Sequence, residues 1–343
     1  MKQPLNKALH RFSLATAITT FFLIIAGGLV TSTGSGLAVP DWPLSYGMLM
    51  PPMIGGIFYE HGHRMVATLV GFLTTILALW LWKREQRRWM KVLGFVALAA
   101  VILQGALGGL TVLFLLPTAI SVSHATLAQT FFCLVSSIAL FTSRWWMEQD
   151  HRMMEESEGT AMRKLVVLTT ASVYLQLILG ALMRHTGSGL AVPDFPLAYG
   201  QLLPSLGTDQ LAAYNRQLIL DDIRLAADGS ITALQIVIHL AHRFWAVVVT
   251  GMIVWLAFRL RRSSGVSRRL KMFSLILLGT LVLQVSLGAF TVLSRKSVDI
   301  TTAHVATGAF LLVMCLLTTL HVFRLSRGKP FMGISYVPSQ ARA

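Results

Sequence analysis

Four histidines, His63, His124, His242 and His304, have the spacing of a ligand set. They form two couples. His242 repeats His63, each followed at once by an arginine (Arg64, Arg243), and His304 repeats His124 at almost the same offset. Each stands close to the start of an apolar run. A lone histidine there is ordinarily a hydrogen-bonded core residue. Four in duplicate, at matched depth, read as ligands, because a polar ring near hydrocarbon is costly unless it faces the bundle and has a partner. Zinc asks for three or four ligands, often with cysteine or carboxylate. Two imidazoles from facing helices of a four-helix bundle suit axial ligation of heme iron better. The neighbouring glycines, Gly105, Gly108 and Gly109 before His124 and Gly279 and Gly288 before His304, either admit a flat macrocycle or simply let helices pack closely. Arg64 and Arg243 either meet heme propionates at the rim or lie as interfacial cations with buried stems.

The halves differ at one acid. Glu60 lies three residues before His63, hence on its helical face, and its counterpart before His242 is His239. A carboxyl beside a heme can take or give protons in chemistry on the porphyrin; it can equally form an ion pair with Arg64 at i+4. The asymmetry suggests divided labour, one site with an acid for chemistry and one that carries electrons. His61, His185 and His239 read as supporting or interfacial residues, and an exchange of ligand role between His239 and His242 stays open. Cys133 and Cys315 lie inside apolar runs and read as small core residues rather than a disulfide or metal pair.

The elements that must position these residues follow from an internal repeat. Residues 33–47, T-G-S-G-L-A-V-P-D-W-P-L-S-Y-G, recur at 186–200 with changes only from Trp42 to Phe195 and from Ser45 to Ala198. Gln104 to Leu113 recurs at Gln284 to Leu293. A repeat this long fixes the architecture. Of 343 residues 55% are hydrophobic and 13% charged, about half the charge of a soluble domain. The apolar residues fall in runs of about 20, the length that crosses a bilayer core. The chain therefore reads as an all-α integral membrane protein with eight spanning helices, near 13–32, 62–82, 92–113, 122–143, 165–184, 237–258, 271–293 and 303–324. They form two tandem four-helix bundles related by a pseudo-two-fold axis along the membrane normal: an N-terminal repeat (1–143), a polar linker (144–164), a C-terminal repeat (165–330) and a tail (331–343).

The net charge of +15 is topological. Basic clusters at Lys83 to Lys91, Arg259 to Lys271 and Arg324 to Lys329 mark the cytoplasmic side, whereas residues 33–59 and 114–121 carry no Lys or Arg. Both termini are expected in the cytoplasm and both repeated loops outside. No soluble basic face suggests nucleic-acid binding. The second loop is expanded, and Leu211, Tyr214, Leu218, Ile219 and Ile223 in Asp209 to Ala227 have the spacing of a short interfacial helix over the outer mouth.

Both T-G-S-G-L-A-V-P-D-[WF]-P-L loops, Glu60-x-x-His63-Arg64, His124, His242-Arg243 and His304 together resemble the heme A synthase family. The resemblance covers nearly the whole chain. It implies a multi-pass protein of the bacterial cytoplasmic membrane that oxidises the C8 methyl of heme O to the formyl group of heme A, for terminal oxidases. Heme O synthase and terminal oxidase assembly are the partners it implies. It carries His63 and His124 onto the substrate heme O, with Glu60 serving the oxidation, and His242 and His304 onto a resident heme b. Many bacterial members have a cysteine pair near the positions of Val39 and Ser45; neither is cysteine here, which suggests a cysteine-independent subtype. The rival reading is a membrane b-type cytochrome that only relays electrons, which leaves Glu60 idle. A transporter would show polar residues at mid-depth, and a heme prenyltransferase would need Asp-rich loops that the chain lacks.

Overall fold

In a computed structural model, which describes residues 5–147, 156–223 and 230–325, the chain is helical throughout its membrane segments. The helices are α1 (Lys7–Ser32), α2 (Gly55–Arg84), α3 (Arg88–Leu113), α4 (Thr118–Phe141), the single turn α5 (Arg144–Met147), α6 (Glu156–His185), α7 (Thr208–Leu220), α8 (Ala233–Arg262), α9 (Arg268–Leu293) and α10 (Val298–Leu325). Eight of them, all but α5 and α7, are long and apolar enough to cross a membrane. The expected eight spans are therefore present, and the chain is a multi-pass membrane protein.

Each span is longer than its apolar run. Polar residues at the ends are absorbed as helix rather than loop, because an intrahelical hydrogen bond is the least costly partner for backbone at a membrane interface. Asn6 caps α1 by accepting from the Leu9 N–H (3.0 Å), and Thr232 with Gln235 forms a capping box on α8. α2 consequently starts at Gly55, and α8 at Ala233. The histidines expected in the first few residues of their helices lie deeper. His63 is about 12 Å along α2 from its first residue at 1.5 Å per residue.

Neighbour relations divide the spans into two closed cycles. α1 packs on α2, α2 on α3, α3 on α4 and α4 on α1; α6 packs on α8, α8 on α9, α9 on α10 and α10 on α6. The cycles meet through α1, α4, α6 and α10. Two hydrophobic clusters fill them, one around Leu77, Leu81, Met90, Phe131 and Ile138, the other around Leu256, Leu260, Leu270, Leu277 and Cys315. Cys133 and Cys315 are both free and lie in this apolar packing, as expected of core residues.

The start of the linker is more ordered than a solvated segment. Trp145 of α5 stacks on His321 of α10 (centroids 3.4 Å apart) and packs edge-on to Phe273, because two adjacent tryptophans supply apolar area that the segment's charge pattern conceals. The acidic residues Asp150 and Glu155 and the cations Arg327 and Lys329 lie outside the described residues.

Candidate heme-binding sites

The repeated loops share one turn and its internal hydrogen bonds. In the first, the Asp41 carboxylate accepts from the N–H of Tyr46 (2.6 Å) and Gly47 (2.8 Å), and the Tyr46 hydroxyl donates to Ala38 O (2.7 Å). In the second, Asp194 accepts from Tyr199 (2.8 Å) and Gly200 (2.9 Å), and Tyr199 donates to Ala191 O (2.9 Å). Tyr46, Gly47, Tyr199 and Gly200 all have left-handed φ, which only an over-determined turn holds at a tyrosine. The backbone N–H of Gly47 is the main reason the Asp41 carboxyl is held below its ordinary value; the Tyr46 N–H and the Arg64 charge add to it.

The arginine after His63 and after His242 clamps the loop. Arg64 donates to the carbonyls of Val39 (3.2 Å), Asp41 (2.7 Å) and Leu44 (2.9 Å). Arg243 donates to the equivalent carbonyls of Val192 (2.9 Å), Asp194 (2.7 Å) and Leu197 (2.9 Å). The two roles offered from sequence, propionate partner or snorkelling cation, omit this one. Three convergent carbonyls in a turn are an acceptor fork for a planar guanidinium, and no spacing rule reveals them.

The remaining contact of each arginine separates the halves. Arg64 Nη2 pairs with Glu60 Oε1 at 2.7 Å, while Glu60 Oε2 accepts from the Val39 N–H at 2.8 Å. Glu60 is only 4% exposed, so the i+4 ion pair weighed from sequence is present and both carboxylate oxygens are engaged. Arg243 Nε instead donates to His239 Nε2 (2.9 Å), and His239 Nδ1 meets Ser188 O (2.9 Å). With its Nε2 taken by Arg243 and its Nδ1 by Ser188 O, His239 holds the second loop, whereas both ring nitrogens of His242 lie 3.2 Å from Gln176 Nε2.

Each candidate ligand ring rests on a glycine of the adjacent helix. An added Cβ would stand 3.2 Å from His63 Cε1 at Gly27, 3.1 Å from His124 at Gly108, 3.1 Å from His242 at Gly180 and 3.0 Å from His304 at Gly288. No larger residue fits without moving the ring. Gly108 and Gly288 were among the glycines singled out from sequence. Gly27 and Gly180 were not, though they stand at the same offset as the repeated loops, which is the signal that finds them. Gly109 lies under Trp42, and Gly105 and Gly279 have no neighbour within 4 Å.

The geometry of each couple follows. His63 lies in the α1–α2 groove and His124 in the α3–α4 groove, which are opposite edges of one cycle; His242 (α6–α8) and His304 (α9–α10) repeat this in the other. Glutamines lie against three of the rings: Gln104 Nε2 is 3.3 Å from His124 Nε2, and Gln176 Nε2 is 3.2 Å from each ring nitrogen of His242. Gln104 Nε2 donates to His124 O (3.0 Å), Gln176 Nε2 to His242 O (3.0 Å), and His304 Nδ1 meets Gln284 O at 3.2 Å. That last contact fixes Nδ1 as the donor and leaves Nε2 its lone pair, the tautomer a metal needs. His63 Nδ1 and His124 Nδ1 are buried without a partner. Imidazoles on opposite edges of a four-helix cycle, backed by glycine, are donors of the kind that would hold a heme iron. His61 and His185 lie outside this set: His61 Nδ1 meets Ser45 Oγ at 2.8 Å, and His185 closes α6, where its carbonyl accepts from Thr118 Oγ1 (3.2 Å). A cavity of about 530 Å³ between α1, α9 and α10 is lined by Phe21, Ile25, Leu283 and Phe310 and includes none of the four histidines.

The mouths also differ. α7 lies over the second loop as anticipated, but runs Thr208–Leu220; the end anticipated at Ala227 lies outside the described residues. Leu218 is fully buried, and Tyr214 stacks on Tyr199 at 3.8 Å. Burial, ahead of the nearby Asp194 charge, pushes the Tyr199 phenol above its ordinary value. The first loop has no such cover: Tyr46 is 49% exposed.

Comparison with known proteins agrees with this arrangement. The family model COX15-CtaA, described as cytochrome oxidase assembly protein, matches residues 10–55 and 55–316. The chain is 32% identical over 206 residues to the heme A synthase of Alkalihalophilus pseudofirmus, covering 59% of this chain and 68% of that one. It is 33% identical over 197 residues to that of Bacillus licheniformis (56% and 64%), and 27% identical over 325 residues to that of Shewanella oneidensis (88% and 93%).

Proposed function

The chain belongs to the heme A synthase family of cytochrome oxidase assembly proteins, and from that premise we propose that the α1–α4 cycle binds heme O and oxidises its C8 methyl to the formyl group of heme A, while the cycle of α6, α8, α9 and α10 keeps a resident heme b. The observation that carries this reading is the duplicated couple of glycine-backed imidazoles with an acid in one copy only. His63 and His124 hold the substrate from opposite helix pairs, and His242 and His304 hold the resident heme, which supplies electron transfer when bound. Taking the methyl to the formyl level adds one oxygen atom, supplied as water, and releases four electrons to an external acceptor together with four protons, so the first site needs a group that accepts protons. Glu60 is that group. Its carboxylate is held in place by Arg64 and the Val39 N–H, one contact to each oxygen, which leaves a lone pair on each for a proton. Arg64 and Arg243 serve both sites by fixing the loops above them. We place both loops on the outer face and both termini in the cytoplasm of a bacterial inner membrane, on the distribution of Lys and Arg.

The test is expression of the full chain beside a source of heme O, with extraction of the pigments. Heme A accumulates with the wild type and not with Glu60→Ala, which keeps its resident heme. A folded wild-type protein that yields no heme A, or a Glu60→Ala variant with full yield, defeats the reading and leaves an electron relay.

A further inference from the structure

The proposed oxidation releases four electrons, and an acceptor must take them from the resident heme. The cavity of about 530 Å³ between α1, α9 and α10 lies against that part of the second bundle. Beyond its apolar lining it includes Asp299, Thr302, Ala303 and Thr307 of α10 and Thr280 of α9. It runs from Asp299, the second residue of α10, to Phe310, about 16 Å along that helix at 1.5 Å per residue. Its wall is shared with the candidate heme site. Ala303 and Leu283 immediately precede His304 and Gln284, the two residues joined by the 3.2 Å contact of His304 Nδ1 with Gln284 O. Thr307 follows His304 by three residues, one turn further from the loops. An occupant would stand against the same two helix segments that hold the imidazole.

The polar groups of the lining are few and placed. Phe21 and Phe310 meet edge-on, centroids 6.4 Å apart. The Thr280 and Thr307 hydroxyls have no hydrogen-bond partner among the described residues. Threonines elsewhere on α9 and α10 do: Thr291 and Thr318 donate to the carbonyl four residues back (2.8 and 2.7 Å). Leaving two hydroxyls unpaired beside a hydrocarbon chain is costly, so the lining suits an occupant with polar atoms of its own. Asp299 stands at the loop-side end, outside the ion pairs of the described residues, Glu60–Arg64 and Glu85–Arg87.

The other side of the molecule lacks each of these features. At the repeat positions of Thr280, Asp299 and Thr307 stand Ala100, Ala119 and Leu127. At those of Phe21 and Phe310 stand Tyr174 and Thr130, whose hydroxyls bond each other at 2.6 Å and tie α6 to α4. The polar lining is present beside the bundle read as the electron carrier and absent beside the one read as the substrate site.

Small-molecule sites are mostly apolar with a few placed polar groups. A flat ring with two carbonyls, an apolar tail and the capacity to take electrons together with protons matches this one. We propose that the cavity binds a membrane quinone, which oxidises the resident heme. Thr280 and Thr307 donate to quinone carbonyl oxygens, and Asp299 at the mouth is where protons enter. Each methyl taken to the formyl level releases four electrons and four protons; two quinones take up both and leave as two quinols. The inference rests on the proposal that the second bundle holds a heme.

The test uses full-length protein in detergent, with its resident heme reduced by dithionite under nitrogen and the excess removed. Decylubiquinone is added and heme reoxidation is followed by stopped-flow absorbance. Ferricyanide serves as an acceptor that needs no cavity. The double variant Thr280→Ala, Thr307→Leu installs residues that the other half already accommodates, and Asp299→Asn keeps shape without charge. Reoxidation of the wild type saturates with quinone. The double variant is expected to need at least about tenfold more quinone for half the maximal rate, the loss of two neutral hydrogen bonds. Asp299→Asn slows the maximal rate with quinone and not with ferricyanide. Every variant keeps the wild-type ferricyanide rate, which shows an intact fold and heme. A rate that never saturates, or wild-type quinone dependence in the folded double variant, overturns the proposal. So does a double variant that loses only co-purified phospholipid, or only affinity for added heme O, which assigns the cavity to a lipid chain or to the substrate. Photolabelling with an azidoquinone needs no heme. Unlabelled α1, α9 and α10 in a wild type that keeps its heme overturn the quinone site alone. A heme that survives His242→Ala and His304→Ala overturns the underlying assignment as well.

Discussion

The two mouths of the molecule share a backbone and differ in what surrounds it. The first loop is open, carries an acid against its backbone at Val39, and has leucines in the turn after α3. The second is covered by α7, carries His239 in place of the acid, and has Arg295 and Lys296 in the matching turn. The second mouth has added contacts, with α7 packed through Leu218 and His239 bracing Arg243 against Ser188. The first is open at Tyr46 and has a carboxylate where the second has an imidazole. On the proposed reading, two like histidine couples serve a site that turns over and a site that stores, and the loops are where they differ.

The largest expected effects break that comparison outright. His242→Ala or His304→Ala removes the resident heme from the purified protein. His63→Ala or His124→Ala leaves that heme in place and abolishes heme A in the extract. An absorbance spectrum and pigment extraction of the four variants check this, and equal loss of resident heme in all four would mean that the halves are not specialised. Next in size is Glu60→Gln, which keeps shape and loses charge: heme A yield should drop by roughly 100-fold or more, within the usual range for a general acid–base group, with resident heme unchanged. His239→Gln, at the matching position, should leave yield within a few-fold and lower thermal stability, since His239 only braces Arg243 against Ser188.

Much of this was legible in the sequence, for identifiable reasons. Eight apolar runs of membrane length and a loop repeat with two changes in fifteen residues fix the spans and the duplication, because bilayer thickness and chain register leave few alternatives. The four histidines and Glu60 stand out because polar groups near hydrocarbon must have a use. The loop clamp was not legible. Arg64 and Arg243 reach carbonyl oxygens, and every residue has one, so nothing in the side-chain string marks Val39, Asp41 and Leu44 as acceptors. Helix ends were missed by several residues because Gly55, Gly56 and Glu60 resemble loop by composition, and only the folded interface makes them helix. Gly27 and Gly180 were in plain view at the repeat offset but look like ordinary packing glycines until a ring is seen against them.

A subtler contrast is coupled between loop and helix. Trp42 lies against Gly109, where a Cβ would come within 2.6 Å of the indole; the second half has Phe195 and Ala289 at these positions. The smaller ring and the added methyl are complementary changes. Gly109→Ala alone should therefore destabilise the protein by about 1–3 kcal/mol, the usual cost of overpacking, read as a fall in the unfolding midpoint. Trp42→Phe with Gly109→Ala should recover most of it. A double variant no better than the sum of the singles would show that the two positions do not exchange volume and that the halves diverged there independently. The same logic applies to Ser45 and His61, whose counterparts Ala198 and Leu240 have exchanged a hydrogen bond for apolar contact.

The smallest effect concerns pH and the loop itself. The Asp41 carboxyl is held below its ordinary value of 3.8, first by the Gly47 N–H, with the Tyr46 N–H and Arg64 adding to it. A depressed carboxyl contributes stability that is present above the ordinary value and is lost as pH falls through the folded one. Loop 33–47 should therefore be insensitive to pH from neutrality down to about 4, and loosen only in more acid solution. Asp41→Asn removes one of the two acceptor oxygens, and that acid-induced change should vanish while the loop becomes slightly looser at every pH. Because Asp41 is half-exposed, solvent partly screens the interaction and the change in unfolding midpoint should be small. Hydrogen exchange at the Tyr46 and Gly47 amides reads it directly. Protection of those amides that persists unchanged below pH 3 would show that the turn is held by its backbone and by Arg64 alone, and that the carboxylate common to both loops is not what keeps the first mouth in shape.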